Sequence, residues 1–362
     1  MWGLEATLRP VMPDDRRGPP RPLSVAPMVD HSDRHFRMIV RAVTRRTLLY
    51  TEMTSVAAAL SDERERVLGF DPRERPLALQ LGGDDPERLA EAAALASTLG
   101  YDEIDLNCGC PSSRVQQGRF GAVLMKDPER VAACVQAMRA ATSRPVTVKH
   151  RLGVDELDRY EDVDRFVATV AAAGADRFVV HARKAWLSGL SPKQNRSVPP
   201  LRPSWVRRLK AEHPALRIEI NGGITGLDEA FGHLDDGLDG VMIGRAVYDD
   251  PMILANADAR LEARAHGRPW TGAAAPTDAA ARIAVIRSLL PYVERCVSTG
   301  ARLSSITRHL MGLVHGLPGA RRFRRRIGEE AREAAGPELL ERALAELGDH
   351  SLADPPPALL VG

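Results

Sequence analysis

The sequence predicts an α/β protein: a (β/α)8 or TIM barrel followed by a small all-helical C-terminal domain. Three observations carry that expectation. Eight short apolar runs recur between residues 24 and 245, a longer stretch with a helical pattern separates most of them, and beyond about residue 277 the runs stop while amphipathic helical patterns continue. Continuous apolar runs suit a parallel sheet covered on both faces, and eight βα units of this total length suffice to close a barrel. An open doubly wound sheet is the competing architecture. Against it, no G-x-G-x-x-G opens the first unit, and eight near-equal repeats give no switch point.

In chain order, residues 1–22 read as a flexible arm rich in Pro and Arg, without the apolar stretch of a signal peptide. The barrel is expected over 23–270. Its runs are SVAPM (24–28), TLLYTEM (47–53), LALQLGG (77–83), EIDLNCG (103–109), VTVKHR (146–151), RFVVHAR (177–183), RIEINGG (217–223) and GVMIGR (240–245). Ser32 is read as the N-cap of DRHFRMIVRAV, and DPERLAEAAALAS and DPERVAACVQAMRA each open with Asp-Pro, a cap followed by an N1 proline. A helical domain is expected over 277–350. Its patterns, TDAAARIAVIRSLLPYVERCVSTG, SSITRHLMGLVHGLPGARRFRRRIG and GPELLERALAELG, meet at glycine or proline. Residues 351–362 read as a flexible tail.

Bulk composition mainly excludes. The 362 residues are 44% hydrophobic, ample for a large core, and the formal net charge of +2 gives no global field toward a polyanion. A nucleic-acid surface must therefore come from local segregation of charge. Four cysteines make no disulfide framework in a chain this long and point to a reduced, cytoplasmic setting. No apolar run approaches the roughly 18 residues of a spanning helix, so no membrane contact is expected, and no protein partner is inferred.

In a (β/α)8 barrel the C-terminal ends of the strands build the active site. Those ends are Met28 and Asp30, Glu52, Gln80, Asn107 with Cys110, Lys149 to Arg151, His181 with Arg183, Asn221 and Arg245. Almost every run thus ends in a group that can hydrogen-bond or titrate. NGGI after the seventh run and GR after the eighth supply glycines where backbone N–H groups can approach a ligand, at the usual barrel phosphate site. Lys149 offers a cation to a ring that becomes anionic on reduction, while Gln80 and Asn107 offer amides to a heteroaromatic edge. Flavin mononucleotide needs this combination.

Cys108 and Cys110 are too close in sequence for an unstrained disulfide and lack the second pair a zinc site needs. His31 and His35 have i, i+4 spacing but no flanking Glu and no third ligand, so no metal is expected. Cys108 ends an apolar run and reads as packing. Cys110 begins the loop CPSSRVQQGRFGAVL, which can fold over a ligand. Cysteine ordinarily titrates near ~8.5, so a loop thiol can act as a proton donor near pH 7.

At this point the residues resemble the tRNA-dihydrouridine synthases, and within them the A-type branch. The resemblance rests on SVAPMVDHSDRHFR, TLLYTEM, ALQLGG, YDEIDLNCGCPSSRVQQGRFGAVLM, VTVKHRLG, VHARKAWLSGLSPKQNR, INGGI, GVMIGRAVYDDP and ITRHLMGLVHGLPGAR, in order from about residue 24 to 325. It implies an FMN-containing barrel with a helical tRNA-binding domain, in which flavin reduced by NADPH passes hydride to C6 of a D-loop uridine and a cysteine protonates C5. By motif that cysteine is Cys110. The implied flavin contacts are Pro27, Met28, Val29, Gln80, Lys149, His181, Asn221, Gly222, Gly223, Gly244 and Arg245. Asn107 would face the uracil, and Lys193, Arg196, Ser305 and Arg308 would set the orientation of the tRNA. The branch acts on uridines 20 and 20a.

Two departures stand out: Cys108 where many relatives carry a small apolar residue, and DERERVLGFDPRERP (62–76), for which the resemblance supplies no role. The run ARRFRRR (320–326) is read as a phosphate-contacting surface, whereas His309 and His315 are read as structural. Two other functions compete: an FMN barrel oxidoreductase acting on a free pyrimidine, and a tRNA-binding chaperone without redox activity. The first has no use for the helical tail, and the second none for the polar strand ends.

Overall fold

The computed structural model describes residues 18–330 and 336–347. Residues 1–17 of the arm and the 351–362 tail lie outside the described residues. Eight parallel strands form the barrel: β1 (Leu23–Val25), β2 (Leu48–Tyr50), β3 (Leu77–Gly82), β4 (Glu103–Cys108), β5 (Val146–Arg151), β6 (Arg177–His181), β7 (Ile218–Asn221) and β8 (Gly240–Ile243). Each pairs with its neighbour, β8 returns to β1 through Leu23 opposite Val241, and β2 meets β3 through Leu49 opposite Leu77. The sheet is closed. A two-residue strand, Thr54–Ser55, adds one further parallel pairing on Leu81 and Gly82 of β3.

The strands are not continuously apolar, as the runs suggested. Side chains alternate between two faces. On β4, Ile104, Leu106 and Cys108 join the core between sheet and helices, while Glu103, Asp105 and Asn107 are equally buried polar residues on the opposite, inner face. Ala26, Leu48, Tyr50, Ala78, Val179 and Met242 form a small separate apolar cluster inside the barrel.

Outside the barrel run α1 (Arg34–Arg41), α2 (Pro86–Leu99), α3 (Pro128–Ala141), α4 (Tyr160–Ala172), α5 (Pro203–Glu212), α6 (Leu227–Asp235) and the short α7 (Arg245–Asp249). The two Asp-Pro starts are caps as expected. Asp85 accepts from the N–H groups of Glu87 and Arg88, Asp127 from that of Arg130, and each cap is typically worth about 1 kcal/mol. The first cap is Asp33, not Ser32. Asp33 accepts from the N–H groups of His35 and Phe36, while the Ser32 hydroxyl accepts from Met28 N–H. Asp33 is the residue next to the helix, which leaves Ser32 to close the turn after β1.

The pattern TDAAARIAVIRSLLPYVERCVSTG forms two helices, α8 (Ala279–Ser288) and α9 (Leu290–Ser298), with the junction at Pro291, which sits at the start of the second and cannot continue the first. Short helical segments, Leu303–Thr307, Arg308–Leu310 and Met311–Val314, precede α10 (Ala320–Glu330), and α11 (Pro337–Ala345) is the last described helix. Ile286, Val293, Ile306, Phe323 and Leu340 are buried in this region and continuous with the barrel's outer core. It is also pinned electrostatically: Arg282 makes two hydrogen bonds to Asp250, at 2.9 and 2.7 Å.

Candidate active site

The C-terminal ends of the strands open into a cavity of about 1400 Å³. Its wall is built strand by strand. Pro27, Met28 and Val29 follow β1; Gln80 lies within β3; Asn107 and Cys110 come from β4 and its loop; Lys149 and His181 come from β5 and β6; Asn221, Gly222 and Gly223 follow β7; Gly244 and Arg245 follow β8. All of these residues, singled out from the sequence, meet in one place. Arg196 and Ser305 also line the cavity. Lys193 does not; it is exposed on the loop after β6. Arg308 does not either, because its guanidinium is drawn 2.6 Å from Asp33 at the head of α1.

Gln80 is an inner-face residue of β3 rather than a strand end, since β3 continues to Gly82. Its Nε2 donates to Asp105 Oδ2 at 2.7 Å and its Oε1 accepts from Asn107 Nδ2 at 2.8 Å. Asn107 Oδ1 in turn accepts from the N–H groups of Gly109 (3.1 Å) and Cys110 (3.0 Å). Both ends of the Asn107 amide are therefore engaged by the protein. The loop beyond folds back on itself where the Cys110 carbonyl accepts from Ala122 N–H at 2.8 Å. Gly121, at φ +79°, lies so close that a Cβ there would stand 2.5 Å from the Cys110 oxygen. Cys110 is half-buried, whereas Cys108 points into the outer core and is fully buried.

Arg151 is a strand end to which the sequence attaches no role, and the structure gives it one. It is buried, donates from Nε to the Gly109 carbonyl at 2.9 Å, and from Nη1 to the carbonyls of Lys184 and Asn195. It ties the Cys110 loop to the loop after β6. The available signal is a cation among the apolar letters of VTVKHR.

The electrostatics of this wall are one-sided. Lys149, Arg151, Arg183, Arg196 and Arg245 gather here, and none has an ion pair among the described residues. Burial, then the charges of Arg151, Lys149, Arg183 and Arg245, hold His181 well below the usual histidine range, so its imidazole is neutral. Burial likewise pushes Lys149 down to about 8, against the pull of Asp105; its Nζ donates to Asn221 Oδ1 at 3.1 Å. Glu52 and Asp30 lie on the opposite wall, where burial raises Glu52. Gly222 and Gly223 adopt φ of +108° and +81°, and a Cβ on Gly222 would come within 2.5 Å of the His181 ring. Only glycine fits that turn.

A family profile described as dihydrouridine synthase (Dus) matches residues 24–347. The chain belongs to the dihydrouridine synthase family. Among curated relatives, the tRNA-dihydrouridine(20/20a) synthase of Synechocystis sp. is 52% identical over 324 residues, covering 89% of this chain and 93% of that one. The protein of the same name from Xanthomonas axonopodis pv. citri is 53% identical over 323 residues, 89% of this chain and 92% of that one. That of Escherichia coli K12 is 49% identical over 328 residues, 90% and 91%. With that membership the reaction class, reduction of uridine in tRNA to dihydrouridine, belongs to this chain, and it is an oxidoreductase. The free-pyrimidine alternative is set aside. Among the described residues no helix is long and apolar enough to cross a membrane, and no cluster of His, Cys, Asp or Glu could hold a metal ion.

Proposed function

We propose that this protein reduces the D-loop uridines 20 and 20a of tRNA, in the cytoplasm, with flavin mononucleotide as bound cofactor, NADPH as reductant and Cys110 as the proton donor. The observation that supports it best is the convergence of Cys110, Lys149, His181 and Asn221 with the Gly222–Gly223 turn in one cavity. The residues present fit the cofactor. A half-buried lysine with one amide partner suits a ring that gains negative charge, and the positive-φ glycines beside the exposed Arg245 suit a phosphate. Pro27, Met28, Val29, Gln80, Lys149, His181, Asn221, Gly222, Gly223, Gly244 and Arg245 would hold it. Bound there, the flavin supplies a hydride to C6 of the uracil.

The remaining chemistry falls to the chain. Hydride arrival at C6 builds negative charge at C5 and O4, and a proton from the Cys110 thiol completes the saturated C5–C6 bond. The thiolate left behind recovers its proton from solvent. Asn107 and Arg151 hold the peptide that leads into Cys110, and Ala122 N–H holds the Cys110 carbonyl, so the donor is positioned before substrate enters. The target base must leave its stack, at a cost of a few kcal/mol, which explains the value of further cations outside the cavity. Arg196, Ser305, Lys193 and Arg308, with the helical domain over 277–350, are assigned to holding the tRNA.

The test is Cys110→Ala. Flavin and tRNA binding should persist, while formation of dihydrouridine at 20 and 20a, mapped by mass spectrometry in unmodified tRNA, should slow by about 10²–10⁴-fold. Undiminished turnover would remove Cys110 from the acid role. A purified protein without a flavin spectrum, and unable to take up the cofactor, would overturn the cofactor assignment.

A further inference from the structure

Beneath the cavity four buried side chains form a continuous hydrogen-bonded line. Thr147 Oγ1 donates to Asp105 Oδ1 at 2.8 Å, Gln80 Nε2 to Asp105 Oδ2, and Asn107 Nδ2 to Gln80 Oε1; Asn107 Oδ1 then accepts from the Cys110 and Gly109 N–H groups. All four residues are buried, with Asp105 and Thr147 fully enclosed. An amide can turn end for end with little change of shape, so shape alone does not choose which end of Gln80 or Asn107 faces which neighbour. An ionised carboxylate does choose, because it is acceptor-only. Burial raises Asp105 to about 7, while hydrogen bonds from Gln80 and Thr147 and the charges of Lys149 and Arg177 pull it back down, so the choice is enforced above neutral pH, where the variants are compared.

We propose that Asp105 is a positioning residue for Cys110: its carboxylate fixes the polarity of the Gln80 and Asn107 amides, so that a carbonyl oxygen, not an NH2, meets the backbone of the Cys110 loop. This rests on the reading of Cys110 as the proton donor for its catalytic importance, but the positional link stands apart from that reading. The relay has one direction. If Gln80 turned over, its Oε1 would face the Asp105 carboxylate and its NH2 would face the Asn107 NH2; if Asn107 turned as well, its NH2 would face two N–H donors and the loop would lose both anchors. A buried donor left facing a donor costs more than an average hydrogen bond gains.

The polarity can be reversed in principle with every group still satisfied, and that supplies the experiment. Asn107→Asp puts a second acceptor against Gln80 Oε1, and turning Gln80 merely moves the acceptor clash to Asp105. Adding Asp105→Asn gives Gln80 a donor below and lets its NH2 reach one oxygen of the introduced carboxylate. The other oxygen of that carboxylate remains for Gly109 and Cys110, and net charge is the same as in the natural protein. In Asn107→Asp, kcat on tRNA should fall by about 10²-fold through misplacement of the thiol. Alkylation of Cys110 by iodoacetamide, mapped by mass spectrometry on flavin-bound protein, should speed up by about tenfold as the loop loses its anchors. The double variant should recover most of both.

If Asn107→Asp fails to fold, Gln80→Glu with and without Asp105→Asn asks the same question. The glutamate carboxylate clashes with that of Asp105 alone and is matched once Asp105→Asn supplies a donor. A double variant no better than its single parent, in either pair, overturns the proposal. Should Cys110→Ala retain turnover while the alkylation rates still follow these rescues, the acid assignment fails and the positioning relay survives.

Discussion

The two ends of the barrel treat cations in opposite ways. At the closed end Arg177, the first residue of β6, lies between Glu103 of β4 and Glu219 of β7 and donates to the Tyr50 hydroxyl at 2.9 Å. Burial alone would depress its pKa, but the two carboxylates hold it firmly charged. At the open end Lys149, Arg151, Arg196 and Arg245 have no carboxylate partner among the described residues. The difference separates structural from functional charge on one scaffold. A cation surrounded by acids has completed its interactions within the fold, whereas one left among amides and carbonyls keeps its field for a ligand.

Removing one cation from each end should produce losses of different kinds. Arg177→Met leaves Glu219 buried without a counter-charge and Glu103 with only Arg21, 3.6 Å away, a change that typically costs about 3–5 kcal/mol, so denaturant unfolding should shift strongly while the folded fraction keeps its turnover. Lys149→Met should leave the unfolding midpoint nearly in place and lower kcat by about 10²-fold or more. A lysine variant that melts like the arginine variant, or an arginine variant that loses turnover without losing stability, would abolish the distinction.

The closed end also carries a pH signature. Burial, partly offset by Arg177, pushes the Glu219 carboxyl up to about 7 from an ordinary 4.5. A folded-state pKa raised above the unfolded one contributes stability that is fully present below the unfolded value and lost as pH rises through the folded value. Unfolding free energy should therefore decline from about pH 4.5 to about pH 7 by an amount on the order of 3 kcal/mol attributable to this group. Glu219→Gln should flatten that decline, measured as the difference between the two proteins' urea unfolding curves across the window. Parallel curves would mean that Glu219 titrates normally.

Why is one end legible in the sequence and the other not? The mouth is written locally: each strand's last polar residue and the glycines that follow it are adjacent in the chain, so Asn107 with Cys110, and Asn221 with Gly222 and Gly223, can be read off as units. The closed end is assembled from residues on β2, β4, β6 and β7, and nothing local to RFVVHAR says that Arg177 will meet Glu103. Reading the runs as continuously apolar hides this, since the polar letters at every second position of EIDLNC are the inner face of the barrel. Asp105 is hidden for the same reason. Arg308 is legible as a residue of ITRH, but its partner Asp33 lies 275 positions away, and only the fold brings them together.

The same division recurs in the helical region, where it gives the smallest of the expected effects. The run ARRFRRR forms the first turns of α10 with Phe323 buried beneath it. Arg322 and Arg326, one turn apart, both reach Glu346 beyond α11, at 3.0 and 2.6 Å, and Arg326 also reaches Glu330. Arg321, Arg324 and Arg325 stand apart from these pairs and have no ion pair among the described residues. Spacing of three and four places Arg321 beside the other two on the helix surface. Partnered arginines should hold α10 against α11, and unpartnered ones should meet RNA phosphates. Arg324→Gln with Arg325→Gln should thus weaken tRNA binding and lower the slope of log affinity against log salt by about 0.7–0.9 for each phosphate no longer neutralised. Arg322→Gln should leave that slope unchanged and loosen only the packing of the two helices, seen as faster amide exchange in α11. If Arg322→Gln lowers the slope as much as the other pair of substitutions does, the carboxylate of Glu346 has not withdrawn Arg322 from the binding surface, and pairing within the fold does not predict which cations are free to bind.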